Sequence, residues 1–394
     1  MNQRIILINN NPPNSGVGNY AYSLIRHLIE LSEDNIDFVS WDRELFGSTY
    51  YLLSSFSINW LYYMIKLKLL AKKLRNNGSL VHITNSGYLA TIIPEVKRKS
   101  SFVVVTVHDL IPFIVPRSIY DCAIRKVFMN IAYANKIIVV SENTKKDLLR
   151  FVDVDPKKVW VIYYGVNHEL FKPRDKLEAR RKLGLPLDRL IILNVGSEEP
   201  RKNIPILLKS FKELLNHVPN ALLARVGERT AQIEKLIRGL SLSGKVLYRR
   251  ASPNEVALYY NAADLLCFPS YYEGFGFPPL EAMASGLPVI ASNRTSIPEV
   301  VGDAGMLLDP FDVEGFAHWM REVLTNEDLR IKLSEKGYNR SLDFSWEKCA
   351  KETLEVYREV LNGALRAKNS LLIRKIPNPW HILIKISSSI SDKK

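Results

Sequence analysis

Cysteine is scarce in this 394-residue chain, which carries Cys122, Cys267 and Cys349 far apart and without a CxxC spacing. An odd, scattered set excludes a disulfide scaffold and a cysteine-ligated zinc site and points to a reducing compartment. Long apolar runs are missing too, none reaching the roughly 18 residues of a spanning helix. The start, MNQRIILINNNPP, lacks the extended apolar region of a signal peptide. These absences predict a cytoplasmic protein that does not cross a membrane. There is no short internal repeat and no low-complexity segment, which removes solenoids and arrays.

What is present is ordinary for a globular protein: 47% hydrophobic and 24% charged residues. The length exceeds the size at which one hydrophobic core stops growing, so two domains are expected. The formal net charge of +13 calls for an anionic partner, whether nucleic acid, an anionic membrane or a phosphorylated substrate. A nucleic-acid binder would interleave its basic residues with stacking aromatics or carry a reading motif. Neither occurs, and no nucleic-acid partner is expected.

Short β-branched runs alternate with longer amphipathic stretches. RIILIN, LVHIT, SFVVVTVHDL and KIIVVS read as strands, and VGNYAYSLIRHLIEL and ENTKKDLLRFV as helices, the latter capped by Ser141. The alternation pauses over residues 152–188, rich in charge and proline, and restarts with LIILNVG. Alternation of this kind implies parallel sheets covered on both faces, here as two doubly wound α/β halves. The helical pattern SWEKCAKETLEVYREVLNGAL closes the second half.

Two stretches are both basic and amphipathic. Residues 57–75 place Ile58, Leu61, Tyr62, Ile65 and Leu69 on one stripe and load the C-terminal end with Lys66, Lys72, Lys73 and Arg75. Residues 366–394 set seven lysines and arginines, with Trp380 and several leucines and isoleucines, against one acid, Asp392. Each fits either core packing or a solvated tail on the one hand, or an anionic membrane surface on the other.

The chemistry concentrates in a few loops. In YEGFGFPPLEA, Glu273 and Glu281 flank Gly274, Gly276, Pro278 and Pro279. Glycine and consecutive prolines do not sit in helix interiors, so the segment reads as a loop turning into a helix that begins near Pro278. Glu281 then falls in or just past a first turn whose unpaired N–H groups suit an anion. In NVGSEEPRKNI, Arg201 and Lys202 are adjacent cations beside a helix start that Asn203 could cap. Such a pair either is solvated or neutralises a departing diphosphate. VHDLIP puts His108 and Asp109 at the C-terminal end of a strand, where ligands collect in open parallel sheets, although a buried structural histidine fits equally. Gly16 and Gly18 in NNNPPNSGVGNY allow close approach to a helix N-terminus, but the loop lacks the third glycine of a dinucleotide fingerprint. Asp153 and Asp155 form a D-x-D, which reads as a turn before Pro156.

Taken in order, SGVGNY, VTVHDLIP, VSENTKKDL, YYGVN, GSEEPRKN, FPSYYEGFGFPPLEAMASGLPVIAS and TSIPEVVGDAGMLLDP make the chain resemble glycosyltransferase family 4 over almost its whole length. EPRKN and GDAGMLLDP look most like its mannosyltransferase branch. The resemblance implies a GT-B fold, with residues 1–168 as an acceptor-binding Rossmann-like domain and 169–344 as a nucleotide-sugar-binding one. A crossover helix over 345–365 would return to the first domain, and a basic amphipathic tail would occupy 366–394.

It further implies that Glu281 holds the donor ribose and Glu273 lies close to the donor sugar. Gly274, Phe275, Gly276 and Phe277 would contact sugar and diphosphate through their backbone, and Arg201 and Lys202, with Asn203 beside them, would take the diphosphate. Gly16 and Gly18 would close against the donor, and His108 with Asp109 would meet the transferred sugar and the acceptor. Residues 247–251 would lie near the base. No D-x-D stands where metal-dependent transferases hold their ion, so no metal and no cofactor are expected. The implied reaction retains configuration, moving mannose from GDP-mannose, or alternatively a sugar from a UDP donor, onto a glycan or lipid-linked acceptor at the cytoplasmic membrane face. A GT-B epimerase or phosphorylase is the enzymatic alternative. A basic membrane- or nucleic-acid-binding protein is the non-enzymatic one.

Overall fold

A computed structural model describes residues 4–9, 11–12, 15–32, 35–39, 79–97, 102–115 and 119–375. The amphipathic stretch 57–75, the N-domain loop 42–60 and residues 376–394 lie outside the described residues.

Two six-stranded sheets carry the fold, with every described pair parallel. The first contains β1 (Arg4–Ile8), β2 (Asn35–Val39), β3 (Leu80–Ile83), β4 (Phe102–Val107), β5 (Lys136–Val139) and β6 (Val159–Val161), in spatial order β2-β1-β3-β4-β5-β6. The second contains β7 (Leu190–Val195), β8 (Ala221–Val226), β9 (Val246–Arg249), β10 (Leu265–Phe268), β11 (Val289–Ser292) and β12 (Met306–Leu308), ordered β12-β11-β10-β7-β8-β9. β3, β8, β10 and β11 are buried throughout, which is why they read as mainly apolar runs, broken by the buried His82 and Arg225, rather than alternating ones. In each sheet the order reverses once, between β1 and β3 and between β7 and β10. Crevices at such reversals, beyond the C-terminal strand ends, are where open α/β sheets bind ligands.

Helix starts follow local chemistry. Ser141 caps Glu142–Phe151 by accepting from Thr144 N, and Ser15 caps Gly16–Leu31 by accepting from Gly18 N. The charged stretch 152–188 is less of a pause than its composition indicates. It holds β6, paired with β5, and a helix, Lys176–Leu183, that Asp175 caps and Gly184 ends in the left-handed region. Asp155 accepts from Lys157 N at the start of a 3-10 turn, so the D-x-D is a turn.

The last helix runs Trp346–Lys375, ten residues past the expected end of the crossover helix, and packs on Gly16–Leu31 of the first domain. Its Tyr357 hydroxyl meets His82 Nδ1 at 2.5 Å, and His82 Nε2 meets Thr106 Oγ1 at 2.8 Å. Burial holds the His82 imidazole at about 3, with neighbouring His108 adding to the shift, so the ring is neutral. The domains are thus tied by the 160s and by the segment entering this helix, and Val166 N donates to Phe344 O at 3.2 Å where the two run together. No helix among the described residues is long and apolar enough to cross a membrane.

Candidate active site

The reversal in the second sheet brings two loops together, one after β7 and one after β10. Arg201 and Lys202 occupy a 3-10 turn, Pro200–Lys202, in the first, and Glu273 sits in the second. Lys202 Nζ donates to Glu273 Oε1 at 2.6 Å and Arg201 Nη1 to Oε2 at 2.8 Å, so one carboxylate bridges both cations. Arg201 Nε also reaches Glu199 Oε2 at 2.7 Å, and its Nη1 reaches Tyr272 O at 3.2 Å.

All three bridging side chains are largely buried, between 9% and 13% exposed, which makes their protonation states interdependent. Burial alone would raise the Glu273 carboxyl, but the Lys202 and Arg201 charges outweigh it and hold it low. Burial is also the main influence on the two cations. It pulls Lys202 down despite Glu273, whereas on Arg201 it is overcome by Glu273, Glu199 and Asp109, which hold the guanidinium above its usual value.

The loop after β10 turns into the helix Phe277–Ala284, one residue earlier than the prolines indicated, with Pro278 and Pro279 inside its first turn. Gly276 precedes it at φ 121°, a conformation that a side chain would strain. Glu281 lies beyond the first turn, not within it. Tyr260 donates to its Oε2 at 2.8 Å. Burial lifts the Glu281 carboxyl to about 7, against the opposing pull of the Tyr260 hydrogen bond.

The first domain approaches the same place. A Cβ on Gly16 would lie 3.8 Å from the Phe277 ring, so the first glycine loop faces the helix start across the cleft. At Gly18 a Cβ would collide with the Pro12 carbonyl, so its bareness lets the loop fold on itself. Gly274 likewise answers to the protein. A Cβ there would fall 2.0 Å from His108 O, and its own carbonyl accepts from Ser141 Oγ at 2.8 Å and Thr144 Oγ1 at 3.1 Å.

Phe275 is buried among Tyr163, Tyr164 and Phe344, while Phe277 stacks on Tyr164 with ring centroids 4.9 Å apart and 7° between the planes. Burying one such aromatic contributes on the order of 1.5–3 kcal/mol, enough to fix a loop that has no ladder of its own.

Two of the expected site residues bond their side chains within the protein. The His108 ring does not face the cleft with a free nitrogen, since Nε2 donates to Thr84 O at 2.5 Å and Nδ1 accepts from the Tyr164 hydroxyl. Burial brings it down to about 4, so it is a neutral, internally bonded imidazole in this arrangement. Asn203 stands at the start of Ile204–Leu214 but makes no side-chain cap. At φ 56° it turns its Nδ2 to Pro269 O at 3.2 Å and Pro310 O at 2.6 Å, clamping the cation loop to the loops after β10 and β12. Asp109 is half-buried and accepts from Ile111 N at 3.0 Å; burial raises its carboxyl, with that hydrogen bond and then Arg201 opposing.

Tyr164, Tyr260, Thr295 and Ser296 also shape the site. Thr295, at φ 56°, accepts from Glu273 N at 3.1 Å, and Ser296 Oγ donates to Glu273 O at 2.9 Å and Phe275 O at 2.7 Å. Spacing in the sequence cannot reveal these partners, although Tyr164, Thr295 and Ser296 fall within the YYGVN and TSIPEVV segments.

Two facing Rossmann-like domains with a buried cation pair at a strand-order reversal define a GT-B glycosyltransferase architecture. The chain belongs to glycosyltransferase family 4: the family model described as Glycosyltransferase Family 4 matches residues 14–170, and that described as Glycosyl transferases group 1 matches 175–340. A D-inositol 3-phosphate glycosyltransferase of Nocardioides sp. is 33% identical over 245 residues, covering 57% of this chain and 54% of that protein. The O-antigen chain mannosyltransferase B of Escherichia coli is 32% identical over 232 residues, covering 57% and 61%. The chain therefore spans a little over half the length of these curated relatives. Among solved structures, sucrose-phosphate synthase from Thermosynechococcus elongatus superposes with a TM-score of 0.79 at 24% identity, covering 92% of this chain and all of that one. Anabaena HepE in complex with UDP and glucose superposes at 0.75 and 16% identity, covering 90% and 99%.

Proposed function

We propose that the protein is a retaining hexosyltransferase that moves mannose from GDP-mannose, in α linkage, onto a glycan or lipid-linked acceptor. The observation that carries this reading is the convergence of Arg201, Lys202 and Glu273 on the helix Phe277–Ala284, which also bears Glu281. In this reading the donor diphosphate lies against the two cations and the backbone ahead of Pro278, since Pro278 and Pro279 carry no N–H and Leu280 N already donates to Gly276 O at 3.3 Å, and Glu281 accepts from the ribose hydroxyls. Glu273 orients both cations and borders the sugar.

The acceptor hydroxyl forms the new glycosidic bond on the face from which the diphosphate departs. The bond from anomeric carbon to diphosphate oxygen breaks, and that oxygen takes the acceptor's proton. Arg201 and Lys202 stabilise the charge that develops on the leaving group, so catalysis rests on positioning and electrostatics. Because these side chains supply the charge, the activity is proposed to need no divalent metal and no cofactor.

Similarity to an O-antigen mannosyltransferase favours mannose. The HepE complexes with UDP and UDP-glucose support the second reading, a UDP-sugar donor. The +13 charge and the basic composition of 366–394 support work at the cytoplasmic face of an anionic membrane. Transfer from radiolabelled GDP-mannose or UDP-glucose to mannose-terminated oligosaccharides, in EDTA, tests the proposal. An α-linked product formed from GDP-mannose supports it. A β linkage contradicts retention, and loss of activity restored only by Mg²⁺ contradicts the metal-free mechanism.

A further inference from the structure

One contact between the domains has no part in the chemistry above. The helix Glu142–Phe151 belongs to the first domain, yet its N-terminus is capped from the second. Glu299, on the short helix Ile297–Val301, accepts from Glu142 N at 2.7 Å and from Asn143 N at 2.8 Å. Tyr163, in the segment joining the domains, donates to the same carboxylate at 3.1 Å. The first N–H groups of a helix lack intrahelical partners and carry partial positive charge, so a carboxylate placed there is held by two hydrogen bonds and by the dipole.

The same helix is gripped at two further points. Ser141 and Thr144 donate to the Gly274 carbonyl, and Tyr272 donates to Asp147 Oδ2 at 2.9 Å while accepting from Leu110 N at 3.3 Å. Tyr272 and Gly274 are the residues on either side of Glu273. The peptide that carries the carboxylate bridging Arg201 and Lys202 is therefore pinned to the opposite domain, with Glu299 alongside it.

We propose that Glu299 is a positioning residue, an interdomain latch that docks on the N-terminus of Glu142–Phe151 and sets the closed arrangement in which Glu273 and its cations face the first domain. This rests on the transferase reading. The donor contacts proposed above lie almost entirely in the second domain, so opening the latch leaves donor binding largely intact. It separates the acceptor side from the cations and admits water. Turnover then falls with little change in donor KM, and donor hydrolysis gains on transfer.

The test uses the full chain as wild type, Glu299→Lys, which sets a cation against the positive end of the helix, and Thr144→Val, which removes one donor to Gly274 O. Small-angle scattering without ligand comes first, followed by donor affinity, turnover and the ratio of hydrolysis to transfer with GDP-mannose and UDP-glucose. For Glu299→Lys the expected result is a larger radius of gyration, donor affinity within about twofold, and turnover lower by about tenfold to a hundredfold. Thr144→Val should show the same split more weakly, and if Glu299→Lys fails to fold, Glu299→Gln, which keeps the side chain's size and removes its charge, decides the matter. Unchanged scattering and turnover, or a loss confined to donor affinity, overturns the latch. If the wild type binds neither nucleotide sugar the transferase reading fails, while the scattering still decides whether Glu299 holds the domains together.

Discussion

Glu281 and Glu273 are both carboxylates of one eleven-residue segment, yet their surroundings push them in opposite directions. Glu281 has a tyrosine hydroxyl and burial, and is lifted to about 7; Glu273 has two cations and is held low. A raised carboxyl contributes to stability fully below its unfolded value, roughly 4.3, and that contribution is lost as pH rises through about 7. Donor binding should run the other way, because the ionised form accepts two ribose hydroxyls. Nucleotide affinity is expected to rise between pH 6 and 8, and the Glu281→Gln variant, read by titration calorimetry, should show weaker and pH-independent binding. Glu273→Gln leaves two buried cations facing a neutral amide, which should cost about 3–5 kcal/mol in denaturant unfolding. Gly274→Ala must displace the His108 backbone, so both melting temperature and activity should fall. The pairing of Glu273 with Arg201 and Lys202 was not legible in the sequence, since the residues lie about seventy positions apart and only the β7 to β10 reversal joins them.

At the scale of elements, buried parallel strands announce themselves as apolar runs, which is why RIILI, FVVVTV, LIILNV and ALLARV are legible directly. Three-residue β6 and β12 are not, because their identity comes from a neighbouring strand rather than from their own composition. The charged helix Lys176–Leu183 is hidden for a related reason: Asp175 and Gly184 bound it, but few of its residues are buried. Asn203 and His108 show a different limit. Their residue types suit a cap and a catalytic ring, and only the fold reveals that nearby carbonyls and the Tyr164 hydroxyl already occupy their polar atoms. The last helix ties its Tyr357 hydroxyl to the buried His82, so Tyr357→Phe strands one ring nitrogen. The expected cost is about 1–3 kcal/mol, seen as a lower unfolding midpoint with donor affinity unchanged. Deleting residues 376–394 should reduce co-sedimentation with anionic vesicles while leaving transfer to a soluble acceptor intact; equal sedimentation would make that segment a plain tail.

For the whole molecule, the two sheets place their strand-order reversals where each domain meets the other, so the second domain's cations and the first domain's glycine loop share one cleft. The aromatic seam of Tyr20, Tyr164, Phe275, Phe277 and Trp346 crosses the boundary beside it, giving the cleft a rigid floor. Two domains were legible from length and from strand-helix alternation. Their mutual placement came with the family resemblance alone, because it depends on contacts such as Gly274 against His108 that join distant segments. The central claim is that this cleft binds a nucleotide sugar through Arg201, Lys202 and Glu281. Its most direct test is titration calorimetry of the purified full chain, in EDTA, against GDP-mannose, UDP-glucose and UDP-N-acetylglucosamine, with Glu281→Gln and Arg201→Ala alongside. The account predicts selective binding of one donor, GDP-mannose first, weakened about tenfold or more in both variants. Absence of binding to every donor, or binding that neither substitution disturbs, would contradict it.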